Sequence, residues 1–216
     1  MFKAVMFDLD GTTADTLVDL TNAMNAMLVY YGYPQRSREE ISSFLGFGQR
    51  HFVTYSLPEY ARNEENIDRC NAYYDAYYAE HTVVFTRAFD GIPEVFEDLK
   101  KRGVKTVIFS NKNQDHVDKI VSKIFDPSMI DIVMGAGKIK RKPDPEGVLL
   151  IAEKLGLSPS ECAFVGDTEI DIMTAKNSHS FAVGVSWGFR ERHVLCDCGA
   201  DAVADSVKEL AEILGV

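Results

Sequence analysis

Two aspartates near the beginning of the chain are the residues most suited to chemistry. An apolar run, 4–7, is followed by Asp8 and Asp10, with Gly11 and Thr12 directly after them. This pattern predicts a strand and a tight turn, with both carboxylates on the same side of the strand's carboxyl end. Paired carboxylates repel unless a cation or shared proton offsets their charge, and Mg²⁺ is the natural oxygen-ligated partner. The alternative is an ordinary turn, since Asp and Gly are common turn residues.

Polar residues follow a second apolar run at 104–109. Ser110 and Asn111 come directly after it, and a hydroxyl and an amide at a helix N-terminus can bind phosphoryl oxygens. Both residue types are also preferred helix N-caps, which is the structural alternative.

Lys142 stands before Pro143, Asp144 and Pro145. The prolines stiffen the loop and Asp144 can cap the following helix, so Lys142 is expected to hold a fixed position in front of that helix. The alternative is an ordinary surface lysine. The rigid surroundings favour a functional lysine.

Two further aspartates follow an apolar run at 163–165. Asp167 is expected at the strand tip beside the first pair, and no structural role accounts for it. Asp171 falls in the first turn of the next helix, where an acidic residue is favourable in itself and can form a capping box with Thr168.

These residues require a sheet that brings several strand ends together. Short apolar runs alternate with helical stretches through the second part of the chain, which predicts an α/β fold with a doubly wound parallel sheet. The predicted strands are 4–7, 104–109, 132–134, 163–165 and 181–185, with a short apolar piece at 200–203. The predicted helices between and after them are one ending near 103, then 114–124, 145–155, 169–177 and 206–214. Ligands bind at the carboxyl edge of such sheets.

The segment 15–82 is different in character. It begins with an amphipathic helix at 17–31 and stays helical in pattern, and its tyrosines and methionines are expected to pack a small helical bundle. The predicted organisation is therefore a core domain of residues 1–14 and 83–216 with an inserted α-helical domain of residues 15–82.

Composition limits the classes of function. The 216 residues carry a net charge of -10, with 33 acidic residues against 23 Lys and Arg, which disfavours nucleic-acid binding. An anionic substrate would therefore need a local site of metal and a few cations. The four cysteines form no recognisable disulfide or zinc framework, and the sequence predicts neither a signal peptide nor a membrane-spanning run. We expect a soluble, cytoplasmic protein that does not bind membranes.

The four polar motifs are more specific together than singly. Asp-x-Asp-Gly-Thr, Ser-Asn, Lys-Pro and Gly-Asp-x-x-x-Asp follow one another on successive strand ends. This order resembles the haloacid dehalogenase superfamily of phosphotransferases, and the resemblance covers the whole chain. The helical insertion resembles that superfamily's α-helical cap. The resemblance implies a sheet core, a mobile cap and Mg²⁺.

The same resemblance implies roles for individual residues. Asp8 resembles the nucleophile that becomes an aspartyl-phosphate, and Asp10 resembles the acid that protonates the leaving alcohol and later activates water. The implied substrate-binding residues are Gly11, Thr12, Ser110, Asn111 and Lys142, with Ser110 and Lys142 on the phosphoryl oxygens. The implied metal ligands are Asp8, the Asp10 carbonyl and Asp167, while Asp171 supports the metal's water shell or Lys142.

The clearest specificity signal in the predicted cap is the loop 45–50. Gly46 and Gly48 allow close approach to a ligand, and Arg50 is expected to bind a carboxylate or a second phosphate of the substrate. The loop resembles that of phosphoglycolate phosphatases, whereas β-phosphoglucomutases place an arginine in a similar loop with different surroundings. Alternatively, the glycines only join two helices and Arg50 lies in solvent.

The predicted function is a Mg²⁺-dependent phosphatase of a small phosphorylated metabolite, with 2-phosphoglycolate as the specific candidate. Asp10 argues against a true haloacid dehalogenase, which resembles this pattern but lacks an acid there. A phosphomutase acting on a sugar phosphate is the alternative, and a phosphoaspartate-carrying regulatory protein is a third hypothesis. Thr13 and Ala14 depart from the usual sequence at the junction with the cap, and the oligomeric state is left open.

Overall fold

The computed structural model of the protein describes residues 2–137 and 139–216. The predicted core domain includes residues 1 and 138, which lie outside this description. In chain order the strands are β1 (Ala4–Phe7), β2 (Ala14–Asp15), β3 (Arg87–Ala88), β4 (Lys105–Asn113), β5 (Ile132–Ala136), β6 (Cys162–Gly166), β7 (Phe181–Val185) and β8 (Ala202–Ala204). The α-helices of the described residues are α1 (Leu17–Tyr30), α2 (Arg38–Ser43), α3 (Gln49–Ser56), α4 (Glu64–His81), α5 (Ile92–Lys101), α6 (Gln114–Ile124), α7 (Glu146–Leu155), α8 (Glu169–Ser178), α9 (Arg192–Asp197) and α10 (Val207–Leu214).

A parallel sheet forms the centre of the fold. Across the described residues it contains six strands in the order β5-β4-β1-β6-β7-β8, and each neighbouring pair is parallel. β1 lies between β4 and β6, with Phe7 in register with Ile108 on one side and Val165 on the other. The predicted α/β fold with a doubly wound parallel sheet is confirmed.

Both faces of the sheet are buried because successive side chains on each strand point to opposite sides. Val5 and Phe7 of β1 belong to a hydrophobic core shared with α5 and α6. Ala4 and Met6 belong to a second core, shared with α7 and α8. With both faces covered by helices, the carboxyl edge of the sheet is where polar groups can gather around a ligand.

The end of β4 differs from the prediction. The strand continues to Asn113 instead of ending at residue 109, and α6 begins at Gln114. Ser110 and Asn111 therefore lie within the strand and not at the N-terminus of a helix, which corrects that expectation. The register with β5 shifts between Phe109 and Asn113. The sequence from Ser110 to Asn113 is polar, so no hydrophobic alternation revealed that the chain remains extended there.

Three small elements, β2, β3 and α9, were not predicted. β2 and β3 form an antiparallel pair, with Ala14 opposite Ala88 and Asp15 opposite Arg87, at the place where the chain leaves and re-enters the sheet region. The short helix α9 follows β7. Elements of two to six residues carry too little periodic pattern to be predicted from sequence.

The helices α1 to α4 pack around a hydrophobic core of their own. Met24, Met27, Tyr74 and Tyr78 are buried in it, so the predicted bundle packed by tyrosines and methionines is present. At its junction with the sheet region, the buried carboxylate of Asp19 in α1 accepts hydrogen bonds from the backbone N–H groups of residues 84–86. The division into a core domain and a cap of residues 15–82 stays a prediction.

Across the described part of the chain, none of the helices combines the length and the apolar character that crossing a membrane requires.

Candidate active site

A buried lysine connects two aspartates at the carboxyl edge of the sheet. Asp8 directly follows β1, Lys142 lies in the loop before α7, and Asp171 lies in the first turn of α8. The Lys142 Nζ donates to Asp8 Oδ1 at 2.8 Å and to Asp171 Oδ1 at 2.6 Å. The structure thus brings together three predicted site residues that are far apart in sequence.

Asp167 lies next to this group, directly after β6. Its Oδ1 accepts a hydrogen bond from Thr12 Oγ1 at 2.7 Å, and its Oδ2 accepts one from the Phe189 N–H, also at 2.7 Å. One carboxylate oxygen from each of Asp8, Asp167 and Asp171 lies within 4.8 Å of the other two. These three buried carboxylates form an oxygen-rich cluster.

The cluster carries more negative charge than its protein surroundings balance. Burial raises the pKa of Asp8 to about 6, against the opposing effect of Lys142, and the charges of Asp171 and Asp10 raise it further. Burial, together with Asp171 and Asp8, also holds the pKa of Asp167 well above its usual range. Burial would lower the pKa of Lys142, but Asp171 and Asp8 outweigh that effect and raise it.

A hard divalent cation fits this cluster. Mg²⁺ prefers carboxylate oxygens, and a divalent charge would offset both the burial of these carboxylates and their mutual repulsion, which raise the pKa values of Asp8 and Asp167. The Asp10 carboxylate is not part of the cluster; the expected contribution of Asp10 was its backbone carbonyl.

Asp10 instead pairs with a lysine that the sequence interpretation missed. The Lys112 Nζ donates to both carboxylate oxygens of Asp10 at 2.9 Å, and the Lys112 side chain is only 7% exposed. The pair joins residues on β4 and after β1 that are separated by about half of the chain. One signal was available: Lys112 follows Ser110 by two residues, and side chains two apart on a strand face the same side.

Ser110 and Asn111 occupy the same edge of the sheet, at the end of β4. Ser110 is buried and lines the cavity above Asp8. The Asn111 side chain accepts from the Lys142 N–H at 2.8 Å and donates to the Lys142 carbonyl and the Gly46 carbonyl, both at 3.0 Å. Asn111 therefore fixes the Lys142 backbone and also contacts the helical segment.

Asp171 both caps helix α8 and contacts Lys142, the two roles that the sequence analysis gave for it. Its Oδ2 accepts hydrogen bonds from the Thr168 N–H at 3.0 Å and the Thr168 hydroxyl at 2.7 Å, which completes a capping box at the start of α8. Its Oδ1 accepts from Lys142. One carboxylate therefore caps the helix and holds the lysine.

Small residues make room for Asp167. Gly11 has a φ of +81°, and a Cβ there would lie 2.4 Å from Asp167 Oδ2. Gly188, which was not predicted, packs against the same carboxylate, and a Cβ there would lie 2.3 Å from Asp167 Oδ2. Gly11 and Thr12 are thus in contact with Asp167, and neither is among the residues that line the cavity.

The cavity above Asp8 encloses about 600 Å³ of space, part of it open to solvent. Asp8, Asp10, Lys112 and Lys142 make one side of it charged. The helical segment forms the other side with Leu20, Leu45, Gly46, Gly48, Gln49, Phe52, Tyr74 and Tyr78. The space suits a small molecule with an anionic end held against the sheet.

Arg50 is not brought to this cavity. Its guanidinium, 43% exposed, pairs with Glu64 and Asp68 of α4 on the outside of the helical segment. The segment predicted as the loop 45–50 does reach the cavity, through Gly46, Gly48 and Gln49, but Gln49 and Arg50 already belong to α3. The structure therefore agrees with the alternative in which Arg50 faces solvent.

A second residue that sequence interpretation missed holds the helical segment against the sheet region. Arg190, which follows β7, donates to the carbonyl of Ser42 at 3.0 Å and to that of Leu45 at 3.1 Å. The same side chain pairs with Glu169 at 2.9 Å. Its isolated position in a loop gave no motif by which to recognise it.

Comparison with known proteins places this geometry in a family. The family model described as haloacid dehalogenase-like hydrolase matches residues 5–185. A phosphoglycolate phosphatase of Nitrosospira multiformis is 30% identical, over 98% of this chain and 95% of that protein. An N-acetylmuramic acid 6-phosphate phosphatase of Pseudomonas aeruginosa is 29% identical, over 98% of this chain and 94% of that protein.

A solved structure from Lactobacillus delbrueckii subsp. bulgaricus, assigned to the phosphoglycolate phosphatases, superposes with a TM-score of 0.93 at 32% identity. The superposition covers 99% of this chain and 98% of that one. The chain therefore belongs to the haloacid dehalogenase-like hydrolases, as a phosphatase that resembles the phosphoglycolate phosphatases.

Proposed function

We propose that this protein is a Mg²⁺-dependent phosphatase that hydrolyses a small phosphorylated metabolite through an aspartyl-phosphate on Asp8. The observation that carries the proposal is the buried contact of Lys142 with Asp8 and Asp171, with Asp167 beside them. This contact supports the proposal because a carboxylate that can act as a nucleophile, an ammonium group and three carboxylates that could hold a divalent cation lie close together.

The chemical difficulty is the attack of an anion on an anion. Phosphate monoesters hydrolyse extremely slowly in water, and enzymes overcome this mainly by positioning and charge neutralisation. Asp8 attacks phosphorus while Lys142 and the buried Ser110 bind phosphoryl oxygens. Forming and then hydrolysing the aspartyl-phosphate divides one difficult reaction into two easier ones.

Asp10 is the group we assign to proton transfer. In its protonated form it gives a proton to the leaving alcohol oxygen in the first step, and the resulting carboxylate takes a proton from the attacking water in the second, which restores the acid. Its carboxylate follows the nucleophile by two residues and lines the same cavity. Lys112 holds both oxygens of this carboxylate on the side of the cavity next to β4.

The residues that would hold Mg²⁺ are Asp8, Asp167 and the Asp10 carbonyl, with Asp171 close enough to support a water ligand. When bound, Mg²⁺ supplies positive charge beside the phosphoryl oxygens. The Asp167 carboxylate is positioned to bind the cation by a hydrogen bond from Thr12 and by the space that Gly11 and Gly188 leave beside it.

We propose that residues 15–82 form a cap that closes over the substrate. The contacts from Asn111 and Arg190 to carbonyl groups of residues 42–46 support this, because they join the helical segment to the sheet directly beside the cavity. A cap of this kind excludes water during phosphoryl transfer.

The first substrate to test is 2-phosphoglycolate, since relatives of similar length bear the name phosphoglycolate phosphatase. The relative named for N-acetylmuramic acid 6-phosphate shows that similar chains are not restricted to one ester.

A cytoplasmic location remains a prediction. The mutase alternative depended on Arg50, which lies outside the cavity.

The test is release of inorganic phosphate from a panel of phosphorylated metabolites, with Mg²⁺ and with a chelator. We expect release by the wild type and by the control Arg50→Ala in Mg²⁺ only, and none by Asp8→Asn. An active Asp8→Asn variant would remove Asp8 from its role. Isomer formation from a sugar phosphate without net phosphate release would favour the mutase.

A further inference from the structure

The cavity contains a cation that the proposed chemistry has not assigned to the substrate. Among the described residues that line it, the two lysines are Lys112 and Lys142. Lys142 is committed to Asp8, Asp171 and the phosphoryl group. Lys112 contacts neither Asp8 nor Asp171 among its hydrogen bonds in the described residues, and pairs instead with Asp10.

The position of Lys112 follows from its contact with Asp10. In phosphoryl transfer the attacking and leaving oxygens lie roughly in line, so the leaving group extends from phosphorus away from Asp8. Asp10 must reach the leaving oxygen in order to protonate it. Because the Lys112 Nζ lies 2.9 Å from both Asp10 oxygens, the leaving group must pass close to that ammonium.

The buried surroundings of Lys112 strengthen the electrostatic interaction of its ammonium with a nearby anion. Its side chain is 7% exposed, and its Nζ lies 4.7 Å from the centroid of the Tyr78 ring. An ammonium has three N–H donors, and one carboxylate does not use all of them. Water screens a buried charge of this kind only weakly.

The Tyr78 ring lies against the Lys112 ammonium. It lines the same cavity at 1% exposure, and its hydroxyl has no hydrogen-bond partner among the described residues. Buried hydroxyl groups without partners are uncommon in folded proteins and call for an explanation. A ligand that reaches the Tyr78 hydroxyl would accept a hydrogen bond from it.

We propose that Lys112 is the residue that selects the leaving group, by binding a carboxylate on the alcohol part of the ester with help from the Tyr78 hydroxyl. This inference rests on the proposed phosphatase function. It gives Lys112, a residue of β4, the role that the sequence suggested for Arg50. Neighbouring His116 is a weaker candidate because its Nε2 is already 3.0 Å from Asp75 Oδ1.

The test compares two esters with a two-carbon alcohol part, 2-phosphoglycolate and 2-hydroxyethyl phosphate, which end in a carboxylate and in a neutral hydroxyl group respectively. The readout is the ratio of their kcat/KM values in Mg²⁺. Any effect of Lys112 on Asp10 is common to both esters and cancels in the ratio, so the ratio isolates contact with the carboxylate.

We expect the wild type to prefer 2-phosphoglycolate, and Lys112→Met to lower that preference at least tenfold. Lys112→Arg should retain part of the preference, Tyr78→Phe should lower it to a smaller extent, and Arg50→Ala should leave it unchanged. Equal losses on both esters in Lys112→Met would overturn the inference, since the lysine would then act only through Asp10.

The wild type alone provides a second measurement, which holds even if Lys112→Met fails to fold. Glycolate should inhibit hydrolysis of 2-hydroxyethyl phosphate more strongly than ethylene glycol does. Equal inhibition by both would overturn the inference and leave the phosphatase function standing. Mg²⁺-dependent release from other esters of the panel but from neither of these two would overturn this inference alone. Absence of Mg²⁺-dependent release from every ester of the panel would overturn the phosphatase function and this inference with it.

Discussion

In the absence of divalent cations, Asp8→Asn should make the protein more stable at neutral pH. The side chain of Asp8 is almost fully buried, and its pKa is raised from 3.8 to about 6, chiefly by burial and in spite of Lys142. Asparagine has nearly the same shape without the charge. Its side-chain carbonyl can still accept from Lys142, which also keeps its contact with Asp171.

The sign and size of this change in stability follow from the raised pKa of Asp8. A carboxyl whose pKa is higher in the folded state favours folding when protonated, so the wild type loses stability as pH rises from about 4 to about 6. The loss is complete above that range. A difference of about 2 pKa units corresponds to ~3 kcal/mol at pH 7. Asp8→Asn carries no such penalty.

The assay is urea unfolding of wild type and Asp8→Asn in chelator at pH values from 4 to 8. The free energy of unfolding of Asp8→Asn, relative to that of the wild type, should increase from pH 4 to pH 6. Above pH 6 the difference should stay constant. Adding Mg²⁺ should shrink or reverse the difference, because the cation stabilises the ionised carboxylate. A difference that does not depend on pH, or a less stable variant at pH 8, would refute this reasoning.

Two further substitutions test the supports of the site. Gly188→Ala should lower Mg²⁺-dependent activity at least tenfold, because its Cβ would lie 2.3 Å from Asp167 Oδ2. Gly137→Ala should not, because its Cβ would meet no atom of the described residues outside its chain neighbours within 4 Å. Full activity in Gly188→Ala would show that Asp167 needs no such space. Arg190→Ala should raise KM several-fold by loosening the helical segment, whereas the exposed Arg50→Ala should not change it. An unchanged KM would mean that Arg190 does not hold the segment in its closed position.

The sheet and the position of its polar edge could be predicted because their signals are local. β1 and β7 were predicted with the bounds that the structure shows, and α6 likewise, since each is a short apolar run or an amphipathic stretch between clear turn residues. Parallel strands then require Asp8 and Asp167 to lie at one edge. That is why their proximity follows from sequence alone.

Contacts between distant polar residues could not be predicted in the same way. The spacing of Lys112 from Ser110 indicates only a shared side of the strand, and Arg190 lies in a loop without a motif. Only the folded chain shows that Lys112 contacts Asp10 and that Arg190 contacts the carbonyls of Ser42 and Leu45. Arg50 shows the opposite case. Its loop has a suggestive sequence, but the α3 helix turns the guanidinium towards Glu64 and Asp68.

The most direct test is to identify the phosphorylated residue. Asp10→Asn removes the group that activates water, so it should accumulate phosphoenzyme when mixed with Mg²⁺ and an ester with a good leaving group, such as p-nitrophenyl phosphate. Rapid quenching and peptide mass spectrometry should find one phosphoryl group, on Asp8. A phosphoryl group on another residue, or turnover with Asp8 unmodified throughout, would contradict the proposed chemistry.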